Sequence, residues 1–462
     1  MKMQKRVVEK FSFYDHTGME KRLEEMAEKG WLLTKITNTF WVYKRIDPVK
    51  LHFAVTYYPN ASDFDPEPLE EEMIYRDYGE YAGWKFVTSS AQMQIFCNAE
   101  ENPIPMETDP FTSVNVIHRT VKKAFLPTHF ILLGISILQA MLFISTLLGD
   151  PIRLLSSATQ LTTGFLWFLI FLLSMVELIG YYRWHHKALI AADQGVFLDT
   201  HGHGLFQNLV LIAALAGLLN IVINLFSMGD KLQLSIYLLL IGSIVALIII
   251  VNSVKNLLKR MKVNRKLNFT LTLAVDIFLA FFMMGMLAFS ILKTVQVGGV
   301  DSEDSEGHIL YQVEAPLMIE DLLDVSSGKY IKENRQSESI ILGQRSLRQW
   351  VHGHVNIDDS LPEMYYTITL VKADAMYDFC KKTLLKKRSD EKFDDGSVFI
   401  NHYEQIDERP WLCKEAYQLY FSESILYKYL LCYEDRLIEI EFDWEPTEEQ
   451  MRIVAEKLAQ VR

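Results

Sequence analysis

The chain has 462 residues, half of them apolar and 23% charged, with a formal net charge of −12. Between Gln296 and Arg462 stand 33 acidic side chains against 19 basic ones. An acidic surface of that kind excludes nucleic acid as a partner, because a phosphate backbone rewards Lys and Arg. The four cysteines, Cys97, Cys380, Cys413 and Cys432, form no CxxC pair, which excludes a zinc ribbon or a thioredoxin-like site.

The opening stretch, MKMQKRVVEKFSFYD, carries charge but no apolar core, so it does not read as a secretory signal peptide. A pattern then occurs twice. In the first copy a strand (Lys5 to Phe13) precedes a helix (Thr17 to Lys29), the pair Gly30-Trp31 and two short strands ending at Arg45. In the second a strand (Leu51 to Tyr58) precedes a helix (Leu69 to Tyr81), the pair Gly83-Trp84 and two strands ending at Cys97. Leu23, Met26 and Ala27 share one face of the first helix, with charges opposite. Gly30 stands where a helix end favours a left-handed residue. The strands that follow are β-branched and aromatic. Two β-α-β-β units predict an α+β domain over residues 1–118, of the ferredoxin-like sandwich type. Trp31 and Trp84 read as core plugs beneath the sheet rather than as ligand-stacking residues.

The string MEKRLEEMAEKGWLLTKITNTFWVYKR, preceded by FSFYD, resembles the bacterial family known as domain of unknown function 2812. Its marks are the FSFYD-like strand, a helix ending in a KGW turn and an aromatic hairpin ending in Lys or Arg. The resemblance spans the first 100 to 120 residues. It implies a helical membrane block behind that domain and a stress or envelope-signalling context, and it carries no activity across.

Residues 119–293 predict a membrane domain. A bilayer core needs about 20 apolar residues per spanning helix, and five stretches supply them: 125–148, 161–182, 206–228, 232–257 and 269–292. None shows the polar stripe of a soluble core helix. Eleven Lys and Arg flank the spans on the side of the N-terminus, against three on the other. That bias predicts a cytoplasmic N-terminus in a bacterial plasma membrane. Five crossings then make residues 294–462 an extracytoplasmic domain. The run Lys255, Lys259, Arg260, Lys262, Arg265 and Lys266 fixes topology and is suited to anionic lipid headgroups of the bilayer.

The C-terminal domain opens with the polar linker VGGVDSEDSEGH. Strand-like runs follow at Met364 to Val371, Ser397 to Tyr403, Glu415 to Ser422, Ser424 to Asp435 and Asp435 to Trp444. A helix near Ala373 to Leu385 and a last helix from Glu448 to Val461 complete a second α+β fold. Thr447 and Gln450 have the spacing of a capping box. Cys413 and Cys432 are the candidate disulfide pair, although buried free thiols are the preferred reading.

The whole chain is thus expected to be a multi-pass α-helical membrane protein with two soluble α+β domains. His185, His186, His201 and His203 crowd one loop, and His352-Gly353-His354 precedes Asp358 and Asp359. His201, His203, His352 and His354 are candidate metal ligands; a polar interfacial loop and a solvated loop are the plainer readings. Glu177 and Asp276 lie within predicted spans, where carboxylates suggest an ion path. Broken helices and repeats of the transporter kind are absent from the sequence. So are a P-loop, a dinucleotide fingerprint, HExxH and GxSxG. These readings point away from an enzyme and imply no cofactor. They favour a regulatory, sensory or protein-interaction component, partnered by the bilayer and by a cytoplasmic or membrane regulatory protein. The alternatives are a transport-related component using Glu177 and Asp276, or an enzyme in the outer domain.

Overall fold

The structure, a computed structural model, describes residues 3–37, 40–227, 231–297, 315–325, 330–351, 362–386, 391–392, 398–399, 401–421 and 424–459. The chain divides into two compact units. One comprises Met1–Met141, Phe165–Leu218 and Ser235–Ala288, and the other Leu142–Gly164, Leu219–Leu234 and Phe289–Arg462. Among the described residues five helices are long and apolar enough to cross a membrane.

In the first unit the elements run β1 (Gln4–Val7), α1 (His16–Glu28), β2 (Trp31–Ile36), β3 (Trp41–Arg45), β4 (His52–Tyr57), α2 (Glu70–Tyr81), β5 (Lys85–Ser90) and β6 (Met93–Asn98). Each β-α-β-β copy forms its own three-stranded antiparallel sheet, of order β1-β3-β2 and β4-β6-β5. A ferredoxin-like sandwich would have one four-stranded sheet instead, so the expected detail is corrected here. The repeat itself is close in its local physics. Gly30 and Gly83 end the two helices at φ 77° and 85°, a conformation that costs a side chain strain. Both copies also break register at the same place, between Leu33 and Lys35 and between Phe86 and Thr88.

The first strand is shorter than predicted. It stops at Val7, and Ser12 to Asp15 turn out of the sheet. Trp84 is buried, with its indole N–H donated to Ile104 O at 2.8 Å. Trp31 is only half-buried, lying between the Lys5 ammonium and the Arg45 guanidinium at 5.6 and 5.1 Å from the ring centre. It packs against the core as expected, with two cations beside its exposed part.

Behind this domain come α3 (Pro110–Gly149), α4 (Pro151–Ser156), α5 (Ala158–Asp193), α6 (Gly204–Ser227), α7 (Lys231–Arg260) and α8 (Arg265–Val297). α3 starts well before its apolar stretch, which puts Pro127 inside a helix rather than at its beginning. The early turns of α3 are not linker. Val114, Ile117 and Val121 share one apolar core with Leu23, Met26, Leu33 and Ile95 of the N-terminal domain and with Leu178, Tyr181 and Trp184 of α5. Many side chains along α6, α7 and α8 are apolar and exposed, such as Leu209, Ile248 and Phe281, as lipid-facing residues are.

In the second unit, β7 (Tyr330–Glu338), β8 (Leu342–Val351) and β9 (Met364–Val371) precede α9 (Tyr377–Lys386). The short strands β10 (Glu391–Lys392) and β11 (Val398–Phe399) pair with each other. β12 (Asn401–Ile406), β13 (Glu415–Phe421), β14 (Ser424–Cys432), β15 (Arg436–Phe442) and α10 (Glu448–Leu458) follow. Seven strands make one antiparallel sheet of order β12-β13-β14-β15-β9-β8-β7. Both its faces are covered. On one, Leu317, Trp411 and Tyr429 pack with Val454 and Leu458 of α10. On the other, Leu430, Cys432 and Leu437 pack with Cys380 and Leu384 of α9 and with Ile152 of α4. Thr447 and Gln450 form the expected capping box at the start of α10.

All four cysteines are free. Cys432 is buried in one face of the sheet, while Cys413 packs against the cluster on the other. Its thiol donates to Glu415 O at 3.2 Å. The sheet thus separates the pair, and the candidate disulfide is not made. Burial raises the Cys380 thiol to about 11 and Cys432 to about 12, which keeps both protonated and unreactive at neutral pH.

One carboxylate ties the two repeats together. Glu20 of α1 accepts the Val55 amide of β4 at 2.8 Å, and burial raises its acid to about 8 from 4.5. Between those two values the folded state keeps a proton that the unfolded state has released. Stability therefore falls as pH rises through that window and levels off above it. Glu20→Gln keeps the acceptor without the ionisation. It should abolish this fall, as read by the amide-exchange protection of Val55 compared between the two proteins across the same pH range.

Candidate functional site

The N-terminal domain meets the helices at two loops, and they are equivalent loops of the two repeats. Each joins the first strand of its copy to the helix.

The first is the turn between β1 and α1. Asp15 caps α1, its Oδ1 accepting the Gly18 amide at 3.2 Å. The same oxygen accepts the hydroxyl of Thr200, from the segment between α5 and α6, at 2.9 Å. Thr200 Oγ1 in turn accepts the Thr17 amide at 3.1 Å. This is one of the α1 amides that have no partner inside the helix. Thr17 Oγ1 accepts the Thr200 amide at 2.8 Å and lies 3.0 Å from Thr200 O, to which it donates. Two threonines thus bind each other through side chain and backbone.

Below this pair sits a buried carboxylate. Glu177 of α5 is 2% exposed. Its Oε1 accepts Ser12 Oγ at 3.1 Å and Gln207 Nε2 of α6 at 2.7 Å. Its Oε2 is buried without a hydrogen bond, as are Tyr14 OH and His203 Nε2. The last two converge on Gly180: a Cβ there would lie 2.3 Å from His203 Nε2 and 2.8 Å from Tyr14 OH. A Cβ at Gly202 would lie 2.1 Å from Asp15 Oδ2. Only glycine allows these approaches. Burial, and then the negative charge of Glu177, hold the Tyr14 phenol well above its ordinary value, so it remains a neutral donor. An aromatic layer floors the site. Tyr14 lies 5.7 Å from Trp184, 5.5 Å from Tyr181 and 5.9 Å from Phe125, ring centre to ring centre. His118 Nδ1 is 2.6 Å from Tyr181 OH.

The second loop runs between β4 and α2. Asp63 pairs with Lys255 of α7 at 3.0 Å, and Glu67 pairs with Lys262 in the α7–α8 turn at 2.6 Å. Arg265 of α8 donates to Asn60 O at 2.7 Å and stands 3.9 Å from Asp65. Asn268 donates to Phe64 O at 3.2 Å, and Phe64 meets Phe269 edge-on at 5.3 Å. Lys123 of α3 reaches Pro59 O at 3.0 Å.

These contacts revise several expectations. Three members of the basic run, Lys255, Lys262 and Arg265, face acids of the N-terminal domain. Lys259, Arg260 and Lys266 have no ion pair among the described residues. Glu177 is a junction residue bound by the N-terminal domain. Asp276, half-buried on α8, shares no hydrogen bond or ion pair with it among the described residues. His201 is exposed, and His203 belongs to the junction. Among the described residues no group of three His, Cys, Asp or Glu gathers for a metal ion. His352 and His354 lie outside the described residues. Sequence reasoning missed Ser12, Tyr14, Asp15, Thr17, Thr200 and Gln207. The signal available is the polar-aromatic string FSFYDHTG, which by its own pattern reads only as a strand end and helix start.

Chemically the site offers a buried carboxylate beside two unpartnered polar atoms, Tyr14 OH and His203 Nε2. It cannot work as a serine nucleophile, since Ser12 is 1% exposed and its hydroxyl is spent on the carboxylate.

Residues 15–129 match the family model described as Protein of unknown function (DUF2812), which bears out the resemblance drawn from the KGW turn and its hairpin. The matched segment begins at Asp15, the last residue of the first junction loop, and takes in all of the second loop and the first half of α3. No curated protein and no solved structure matches the chain.

A side chain at residue 180 should force this junction open. In Gly180→Val, a cysteine placed at Ser12 should react with a thiol reagent at least about tenfold faster than in the Gly180 background, the effect of about 1.4 kcal/mol of lost docking. Thiol-labelling kinetics of the full chain in detergent checks this, with equal rates contradicting it.

Proposed function

We propose that the protein is a bacterial plasma-membrane component of the regulatory or protein-interaction class. In this reading the N-terminal domain works in the cytoplasm as the moving end of the membrane helices, coupling them to a C-terminal domain outside. The observation that carries the reading is the pair of equivalent loops. A domain merely tethered to the membrane needs no buried carboxylate, interlocked threonines and three facing charge pairs to hold it. A domain that must follow the helices does. Each loop engages one connection between helices: the first the α5–α6 segment, the second the α7–α8 turn. Relative movement of the two helix pairs would therefore strain the domain across its two repeats. The buried polar set at Glu177, Tyr14 and His203, each with an unpartnered atom, supplies an element whose bonding can change with state.

The sidedness rests on two supports. The basic surplus lies on the side of the N-terminus. The connections also alternate: α5–α6 and α7–α8 belong to the N-terminal domain's contacts, whereas Leu155 and Ser156 of α4, between α3 and α5, bond Ser339 and Ser337 of the C-terminal sheet. Alternation is what five crossings require.

Cysteines at the exposed residues Glu28 and Glu434 test this. With the native chain as blank, an impermeant thiol reagent on intact cells should label Glu434→Cys and spare Glu28→Cys until the membrane is opened. Labelling of both, or of neither, would overturn the assignment of the two domains to opposite sides.

A further inference from the structure

The two repeats use their helices differently. α1 buries Met19, Leu23, Met26 and Ala27, because β4 of the second copy packs over it. α2 packs chiefly on β5 of its own copy, and only Glu72 and Gly79 are buried along it. Among the described residues no strand of a following repeat covers it. Its outer face presents Ile74, Tyr78 and Tyr81 at helical spacing, 48%, 70% and 91% exposed. Exposed tyrosines in such a stripe carry large apolar area with little entropy to lose, which suits a contact surface.

The charge around the stripe selects what can lie on it. Asp77 and Glu80 stand beside the apolar residues, and Glu70 precedes them on the same side. The cation among them, Arg76, is already engaged: it is bonded to Glu72 and lies 3.9 Å over the Phe86 ring. Between α2 and β5 this leaves an open groove of about 420 Å³, apolar at its floor and acidic at its rim.

We propose that this face of α2 docks a basic amphipathic helix or strand of a partner protein, with apolar side chains on Ile74, Tyr78 and Phe86 and Lys or Arg against Glu70, Asp77 and Glu80. The acidic rim disfavours an anionic lipid surface, and it disfavours the same face of a second copy, which would bring like charges together. The inference concerns the free side of the domain and stands apart from the reading of the junction loops.

The test uses the full chain in nanodiscs of neutral lipid and a fluorescent, helical peptide of Leu and Lys, followed by anisotropy with empty nanodiscs subtracted. The expected result is saturable binding that weakens with salt. Both Ile74→Ala/Tyr78→Ala and Asp77→Lys/Glu80→Lys should weaken it about tenfold or more, as loss of central contact residues does. Asp47→Lys, an exposed acid elsewhere on the domain, should leave it unchanged. Equal binding of a matched Leu and Glu peptide, or indifference to the α2 substitutions, would overturn the proposal. So would a disulfide-linked dimer formed efficiently by Tyr81→Cys, which gives the face to a second copy. Quenching of a dye at that cysteine by brominated lipid would give it to the bilayer, and would overturn the proposal equally.

Discussion

A helix begins with backbone amides that nothing inside it can satisfy. In α1 that local requirement is met from far along the chain: the Thr17 amide goes to Thr200, whose hydroxyl goes to the capping carboxylate of Asp15. The start of the helix and the attachment of the domain are therefore one set of bonds. Glu177 sits beneath them as a buried acceptor that needs Ser12 and Gln207 in place. Removing one of these donors leaves a buried acceptor short of a partner, at a cost of about 1–3 kcal/mol. The loop, the α5–α6 segment and the two helices accordingly have little freedom to separate individually.

The second junction is built from different physics. Its ion pairs each have at least one solvent-exposed member, and the fully exposed Lys262–Glu67 pair adds little stability and is weakened by salt. What fixes it is the backbone: Asn60, Phe64 and Pro59 offer carbonyls to Arg265, Asn268 and Lys123. Of the acids in this joint only Asp65 is buried, and it also accepts the Ser62 amide at 2.7 Å. The domain thus stands on one stiff foot and one compliant one, and the repeat that supplies both is the same β-α-β-β unit.

Much of this was legible in the sequence. The apolar runs of the five helices stood out by length and composition, and the doubled glycine-tryptophan turn announced the repeat because a helix end needs a left-handed residue at Gly30 and Gly83. β9, β13, β14 and β15 showed in their β-branched and aromatic content. β7 and β8 did not, since stretches such as YIKENRQSE are largely polar, and pairing of β8 with β9 and of β7 with β8, rather than their own pattern, makes them strands. The junction was only half visible. Glu177 stood out as a carboxylate in an apolar run, but its partners are small polar residues whose meaning lies in a contact between Ser12 and a helix far along the chain. Nothing local distinguishes such a serine from one facing water. The pairing of the basic run was hidden for the same reason: a lysine facing water and a lysine facing Asp63 look alike until the loop folds over it.

The C-terminal core includes a piece of chain that is made long before the rest. Ile152 of α4 fills the face of the sheet formed by Leu430, Cys432 and Leu437, and Leu155 and Ser156 bond the strands at Ser339 and Ser337. During synthesis α4 emerges with the first two spans, while its partners appear only after the last span is complete. Until then Ile152 has no core to enter. The sheet therefore cannot complete its interior until chain on both sides of the last four long helices has been made, and losing α4 would deprive it of a portion of that interior. The order of biogenesis is written into the packing of a single isoleucine.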